Sequence, residues 1–272
     1  GVVLGIIDSG FDFNHKAFQD KDGHTRIKRV YFPKGNGIST SSSKVTLNDG
    51  TVLPGVAYDS AAVSTLTTDR TSSTHGTHTL GIAAGTRVGP YSGMAPGADI
   101  VVCSLGGNGY EYSSQVNVAH SANFIIDYAK SVGKPCVISI SAGSTIGPRD
   151  GSTYLCKVYD ALSEYDPSLQ RSKAIFCLSA GNQAGIMSDF QHLCTNTDSS
   201  QLQFGLMPVN RSTTFASNVS LHAYGEDLTP FGVQYLIFDP SNDSLVYQTA
   251  VMKTYQVIYG GESNITHPRY DS

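Results

Sequence analysis

The chain has 272 residues, of which 40% are apolar and 15% charged, with a net charge of −4. That size allows one large domain, or one plus a smaller one. The balance gives no basic excess for nucleic acid and no acidic block for a disordered tail, and no apolar run is long enough to cross a bilayer as a helix.

The first eight residues, GVVLGIID, are apolar without alternation, the pattern of a strand buried on both faces. The chain opens directly on this run with no signal-peptide pattern, so its start reads as trimmed. KDGHTRIKRVYF (21–32) predicts a turn leading into a strand, and GNGISTSSSKVTLNDG (35–50) predicts a polar surface loop. Residues 21–70 read as an elaboration on a core. The stretch STHGTHTLGIAAG (73–85) predicts a helix, with Ser72, Ser73 and Thr74 as candidate N-caps.

Three more buried-strand runs follow at Asp99–Leu105, Pro135–Ser141 and Ala174–Ala180. Between them, Ala119, Ala122, Ile126 and Ala129 share a helical face that Gly133 is placed to end. Leu155, Val158, Tyr159 and Leu162 fit a second helix. Strands alternating with helices predict an α/β fold with a mostly parallel sheet. From residue 201 the pattern changes. NVSLHAYG, GVQYLIFD and SLVYQTAVMKTYQVIYG are rich in Val, Tyr, Phe and Thr with partial alternation, and Pro240-Ser241-Asn242-Asp243 supplies a turn. That predicts antiparallel strands and a division into residues 1–200 and 201–272.

Of the five cysteines, Cys103, Cys136 and Cys177 lie in apolar strand-like runs and are expected to be buried free thiols. No C-x-x-C suggests zinc or redox work. A disulfide between Cys156 and Cys194 is compatible with the sequence but not shown by it.

Each predicted strand ends in small or polar residues: Asp8-Ser9-Gly10, Ser141-Ala142-Gly143, and Ser179-Ala180-Gly181-Asn182. Ligands of open parallel sheets bind beyond the carboxyl ends of the strands, so these groups are candidates for one cleft. A carboxylate after a buried strand needs a partner. Asp8 is therefore either a turn cap or an anion that orients a histidine. His75 and His78 have three readings: metal ligands, packed side chains, or one general base. A metal site needs more ligands than an H-x-x-H pair, and no H-E-x-x-H is present. A histidine in the first helical turn, facing the positive end of the helix dipole, is available as a neutral base, and a nearby carboxylate stabilises its imidazolium as it forms.

DSGFD (8–12), HGTHTLGIAAG (75–85), GMAPGADIVV (93–102), SISAG (139–143) and SAGN (179–182) occur in this order. The set resembles the subtilisin-like serine peptidases, the subtilases, over roughly residues 1–20 and 72–185. The resemblance implies a subtilisin-like α/β core over residues 1–200 and peptide-bond hydrolysis through an acyl-enzyme. It makes Asp8 the residue that orients the histidine, His75 the general base and acid, and Asn182 the oxyanion donor, with His78 structural. Ser141, Ala142 and Gly143 would line a channel for a peptide or protein substrate, with Gly107 in GGNG bordering the other side. It also implies an extracytoplasmic location. Oligomeric state is not legible.

The departure is the nucleophile. The family carries it in a Gly-Thr-Ser-x-Ala block, and no Gly-Thr-Ser occurs here; the Gly-Thr pairs are Gly50-Thr51, Gly76-Thr77 and Gly85-Thr86. In one reading the block follows residue 272 in a longer parent and this chain alone is inactive. In the other, the chain is a pseudopeptidase that binds peptides or regulates. Retention of Asp8, His75 and Asn182 favours the first. A β-rich insert from 201 is similar to the subset of spore-germination Csp peptidases, which carry a β-sandwich there. Calcium is common in the family, but Ala17 and the loop Thr86–Tyr91 lack the expected carboxylates, so no metal or other cofactor is expected.

Overall fold

The computed structural model describes residues 1–33, 38, 42–106, 113–143, 150–182, 231–239 and 242–253. The chain divides into two compact units, Gly1–Leu202 and Gln203–Ser272. The first is built on the strands β1 (Val3–Asp8), β2 (Ile27–Pro33), β3 (Lys44–Thr46), β4 (Val52–Asp59), β5 (Asp99–Ser104) and β6 (Cys136–Ile140). A small antiparallel pair, β7 (Tyr165–Asp166) and β8 (Arg171–Ser172), precedes β9 (Ile175–Leu178). Seven of these form one sheet in the order β3-β4-β2-β5-β1-β6-β9. The five strands from β2 to β9 run parallel, and β4 and β3 add an antiparallel edge. This is the mostly parallel α/β architecture that the alternating pattern predicts.

Strand β1 lies between β5 and β6, and all six of its residues are buried. Alternation divides its side chains between two cores. Val3 and Ile7 face the helices α3 (Ser113–Ser131) and α4 (Tyr154–Ser163). There Val118, Ala122, Ile125, Ile126 and Ala129 of α3 complete the packing, and Leu155, Tyr159 and Leu162 of α4 lie partly buried against it. Leu4 and Ile6 face the other way, into the cluster that holds Val63 of α1 (Ser60–Val63), Leu80 and Ala84 of α2 (His75–Ala84), and Phe11, Phe13 and Phe18. Each buried aliphatic side chain stabilises the fold by roughly 1.5–3 kcal/mol. Asp8 has the parity of Leu4 and Ile6, so the strand aims it at the α2 side.

Gly133 ends α3 in the left-handed region at φ 66°, with its N–H on the Lys130 carbonyl and the Lys134 N–H on that of Ala129. Glycine meets that backbone demand without a Cβ penalty.

Within residues 21–70, β2 pairs parallel with β5 and carries β4 and β3 onto the same sheet. Two expectations need correction. The stretch read as a loop over 35–50 contains β3, whose hairpin with β4 closes at Leu47–Thr51 around Gly50 at φ 87°. Asn48-Asp49-Gly50 is a hairpin signal, outweighed in the sequence by the polar run before it. Cys177 is exposed, because β9 is the edge strand of the sheet among the described residues, and Ile175 and Leu178 are exposed beside it. Cys103 and Cys136 are buried free thiols as expected, and Cys156 is a free thiol too; Cys194 lies outside the described residues.

In the second unit, β10 (Gly232–Val233) pairs antiparallel with β13 (Met252–Lys253), and β11 (Leu236–Phe238) with β12 (Leu245–Gln248). The turn between β11 and β12 holds Asp243 at φ 58°, and the Asn242 side chain accepts the Ser244 N–H. NVSLHAYG and TYQVIYG lie outside the described residues. Among the described residues no helix is long and apolar enough to cross a membrane.

Candidate active site

The carboxyl end of β1 and the start of α2 meet through backbone. A helix begins with N–H groups that have no intrahelical acceptor. Here the Gly76 N–H donates to the Ser9 carbonyl at 2.7 Å and the Thr77 N–H to the Gly10 carbonyl at 2.9 Å. The His75 N–H donates to Ser73 Oγ, and the Thr77 hydroxyl both donates to the Gly10 carbonyl and accepts the Asp12 N–H. The helix start is thereby docked onto the turn after Asp8. Thr74 occupies the N-cap position without a side-chain cap bond. Two glycines permit the approach. A Cβ at Gly76 would sit 2.6 Å from the Phe11 ring, and one at Gly10, where φ is 89°, would sit 2.6 Å from the Ser73 backbone.

This docking brings His75 Nδ1 to 2.8 Å from Asp8 Oδ1 and 3.0 Å from Oδ2. An ionised carboxylate only accepts, so Nδ1 is the donor in this contact, and a neutral ring in that tautomer has its lone pair on Nε2. Asp8 is buried, while the His75 side chain is 49% exposed. The pair thus has a shielded anion at one end and a solvent-facing ring at the other. The Asp8 carboxylate also accepts the Ser9 N–H at 2.7 Å and the Thr79 hydroxyl at 2.9 Å.

A second buried carboxylate holds the same turn. Asp69 Oδ2 accepts the Gly10 N–H at 2.7 Å and the Ser104 hydroxyl at 2.8 Å, and Oδ1 accepts from the Thr71 hydroxyl. Ser104 Oγ in turn accepts the Gly106 N–H, and the Leu105 N–H donates to the Asp8 carbonyl. Sequence reasoning missed both Thr79 and Asp69. Thr79 had a legible signal, standing four residues after His75 on the same helical face. Asp69 sits in a polar stretch with no local pattern.

Ser141, Ala142 and Gly143 follow β6 at the same end of the sheet. The Ser179 N–H donates to the Ile140 carbonyl, and Ser179 Oγ lies 3.5 Å from that of Ala142, which brings the segments after β6 and β9 together. Asn182 lies past the end of β9 and is exposed. Strands in a sheet are about 4.8 Å apart, which places β9 about 10 Å from β1, with β6 between them. His78 is exposed on α2, and Gly107 lies outside the described residues. Among the described residues, one group offers three metal-ligand atoms within 4.8 Å of one another: Asp20, Asp22 and His24, all exposed. Asp20 Oδ1 there already accepts the N–H groups of Asp22 and His24, and the His24 bond holds the carboxyl below its usual range.

The sequence model of the subtilase family matches residues 1–226. The solved CspB protease of Clostridium perfringens is similar at 25% identity and a TM-score of 0.52, over 67% of this chain and 36% of that one. A solved psychrophilic protease is 21% identical with a TM-score of 0.42, over 67% of this chain and 46% of that one. The chain therefore matches only 36% of the length of the CspB protease. No curated protein matches it. With the family match reaching from residue 1 to residue 226, the chain belongs to the subtilase family.

Proposed function

We propose that this chain carries the Asp–His pair and oxyanion donor of a serine endopeptidase whose nucleophile is supplied by a Gly-Thr-Ser-x-Ala block of the full-length protein. The observation that carries the reading is the contact of His75 Nδ1 with both oxygens of the buried Asp8 carboxylate. In the reaction, Nε2 takes the serine proton as the hydroxyl attacks the peptide carbonyl. Asp8 stabilises the resulting imidazolium, which then protonates the leaving amine. Water repeats the sequence on the acyl-enzyme. Asn182 donates its side-chain amide to the oxyanion, a contribution of about 2.7–4 kcal/mol in subtilisin itself. An extended peptide pairs with the backbone of Ser141–Gly143, with Gly107 on its other side. The family membership favours an extracytoplasmic site of action.

Without the serine, the 272-residue chain alone forms no acyl-enzyme. A fluorophosphonate probe labels the full-length protein and leaves this chain unlabelled; labelling of the chain alone would overturn the assignment. The absence of Gly-Thr-Ser from the sequence favours one second reading, a pseudopeptidase that binds peptides without cutting them. A full-length protein that binds an extended peptide, resists the probe and lacks the serine block would establish it.

A further inference from the structure

Both ends of the Asp8 carboxylate are engaged, and α2 supplies two of the contacts. His75 and Thr79 stand one helical turn apart on one face, so the ring reaches both oxygens while the hydroxyl reaches Oδ2 at 2.9 Å. Thr79 Oγ1 also lies 3.2 Å from the Gly76 carbonyl, but a hydroxyl has one proton. The shorter bond to the charged acceptor is the stronger. The Ser9 N–H donates to Oδ1 at 2.7 Å.

The torsion that turns an aspartate carboxylate about its Cβ–Cγ bond is soft and broadly populated. A single donor on Oδ1 leaves the group free to rotate about that anchor. A second donor on Oδ2 sets the plane, and here the plane is the one in which both oxygens lie within 3.0 Å of Nδ1. We propose that Thr79 is a positioning residue for the Asp8–His75 pair: its hydroxyl locks the carboxylate in the orientation that holds the ring of His75. For catalysis the proposal rests on His75 being the base, as argued above; the contact itself does not depend on that reading.

The test uses Thr79→Val, which keeps the side-chain shape and removes the donor, and Thr79→Ser, which restores it. Thr79→Ala checks that any change comes from the hydroxyl and not from the packing of valine. With histidine labelled with nitrogen-15, the Nδ1 proton of His75 is followed by NMR in the 272-residue chain. In Thr79→Val and Thr79→Ala it is expected to move upfield and exchange faster with water, and in Thr79→Ser to return to the wild-type position. In the full-length protein, Thr79→Val is expected to lower kcat about tenfold with KM unchanged, the scale of one bond to a charged group. An Nδ1 signal in Thr79→Val that matches wild type in position and exchange overturns the proposal. A full-length protein without peptidase activity, whose Nδ1 signal still responds to Thr79→Val, would remove the peptidase reading and leave the positioning contact standing.

Discussion

Asp69 holds the Gly10 N–H at 2.7 Å, so the turn that follows Asp8 is pinned from behind by a carboxylate that is itself buried. Its other acceptor bonds come from Ser104 at the end of β5 and from Thr71. Removing the carboxylate strands the Gly10 N–H and the Ser104 hydroxyl, at about 1–3 kcal/mol each. Asp69→Ala is therefore expected to lower stability by about 2–6 kcal/mol, and Asp69→Asn, which keeps one acceptor oxygen, by less than half as much. Urea denaturation of the three proteins measures the difference. Equal stability of Asp69→Ala and wild type would show that the bonds are replaced by water at no cost.

The two histidines of HGTH are expected to separate cleanly. His75→Ala in the full-length protein abolishes peptide hydrolysis while the fold persists, because the ring is half exposed and its removal opens no core cavity. His78 is exposed, so the structural role implied by the family resemblance has no packing behind it here. His78→Ala is expected to change stability by no more than about 0.5 kcal/mol and to leave hydrolysis intact. Turnover assays with a circular-dichroism melt for each variant decide it; comparable loss of turnover in both, with folding preserved, would count against His75 as the sole base.

Gly76 is required by contact. Its Cβ would enter the Phe11 ring at 2.6 Å, and Phe11 is buried among Phe13, Leu80 and the β1 side chains. Overpacking of this kind costs typically about 1–3 kcal/mol. Gly76→Ala is expected to lower the thermal midpoint, and Phe11→Leu in the same chain to recover part of the loss by making room. A double-mutant cycle in which the two changes simply add would place the strain elsewhere.

The thiols should sort by burial. Burial pushes Cys136 up to about 12 and lifts Cys103 well above the usual thiol range, so neither forms thiolate near neutral pH. Cys177 is exposed. Iodoacetamide at pH 8 is expected to modify Cys177 in the folded chain and spare Cys103 and Cys136, read by mass spectrometry of the peptides. The same shift carries a stability consequence. As pH rises past about 8.5, where an ordinary thiol ionises, the unfolded chain releases these protons and the folded chain keeps them. Stability is therefore full below that pH and declines above it. A Cys103→Ala, Cys136→Ala double variant should show a shallower alkaline decline.

The central strands were legible because a strand covered on both faces leaves an unbroken apolar run; Asp99–Ser104 and Cys136–Ile140 fall within one or two residues of the expected bounds. The Asp8–His75 pair was legible through the resemblance of DSGFD and HGTHTLGIAAG to the subtilase blocks; the residues alone left Asp8 a turn cap or an orienting anion and left the histidines three readings. Short polar strands such as β3 were not, since Lys44-Val45-Thr46 carries one apolar side chain and owes its state to pairing with Leu53. Asp69 escaped for a related reason. Its partners Gly10 and Ser104 are 59 and 35 residues away, and nothing local in TTDRTSS marks it as buried.

The placement of β1 between β5 and β6 also bears on how the molecule is made. Val3 finds its neighbours at Asp99 and Cys136, so β1 leaves the ribosome well before β5, the nearer of its two sheet partners in the chain. At about 5–20 residues per second, that is a wait of roughly 5–19 seconds. Until β5 covers it, the strand that ends in Asp8 leaves its apolar side chains open to water, the kind of transient exposure that invites aggregation during synthesis.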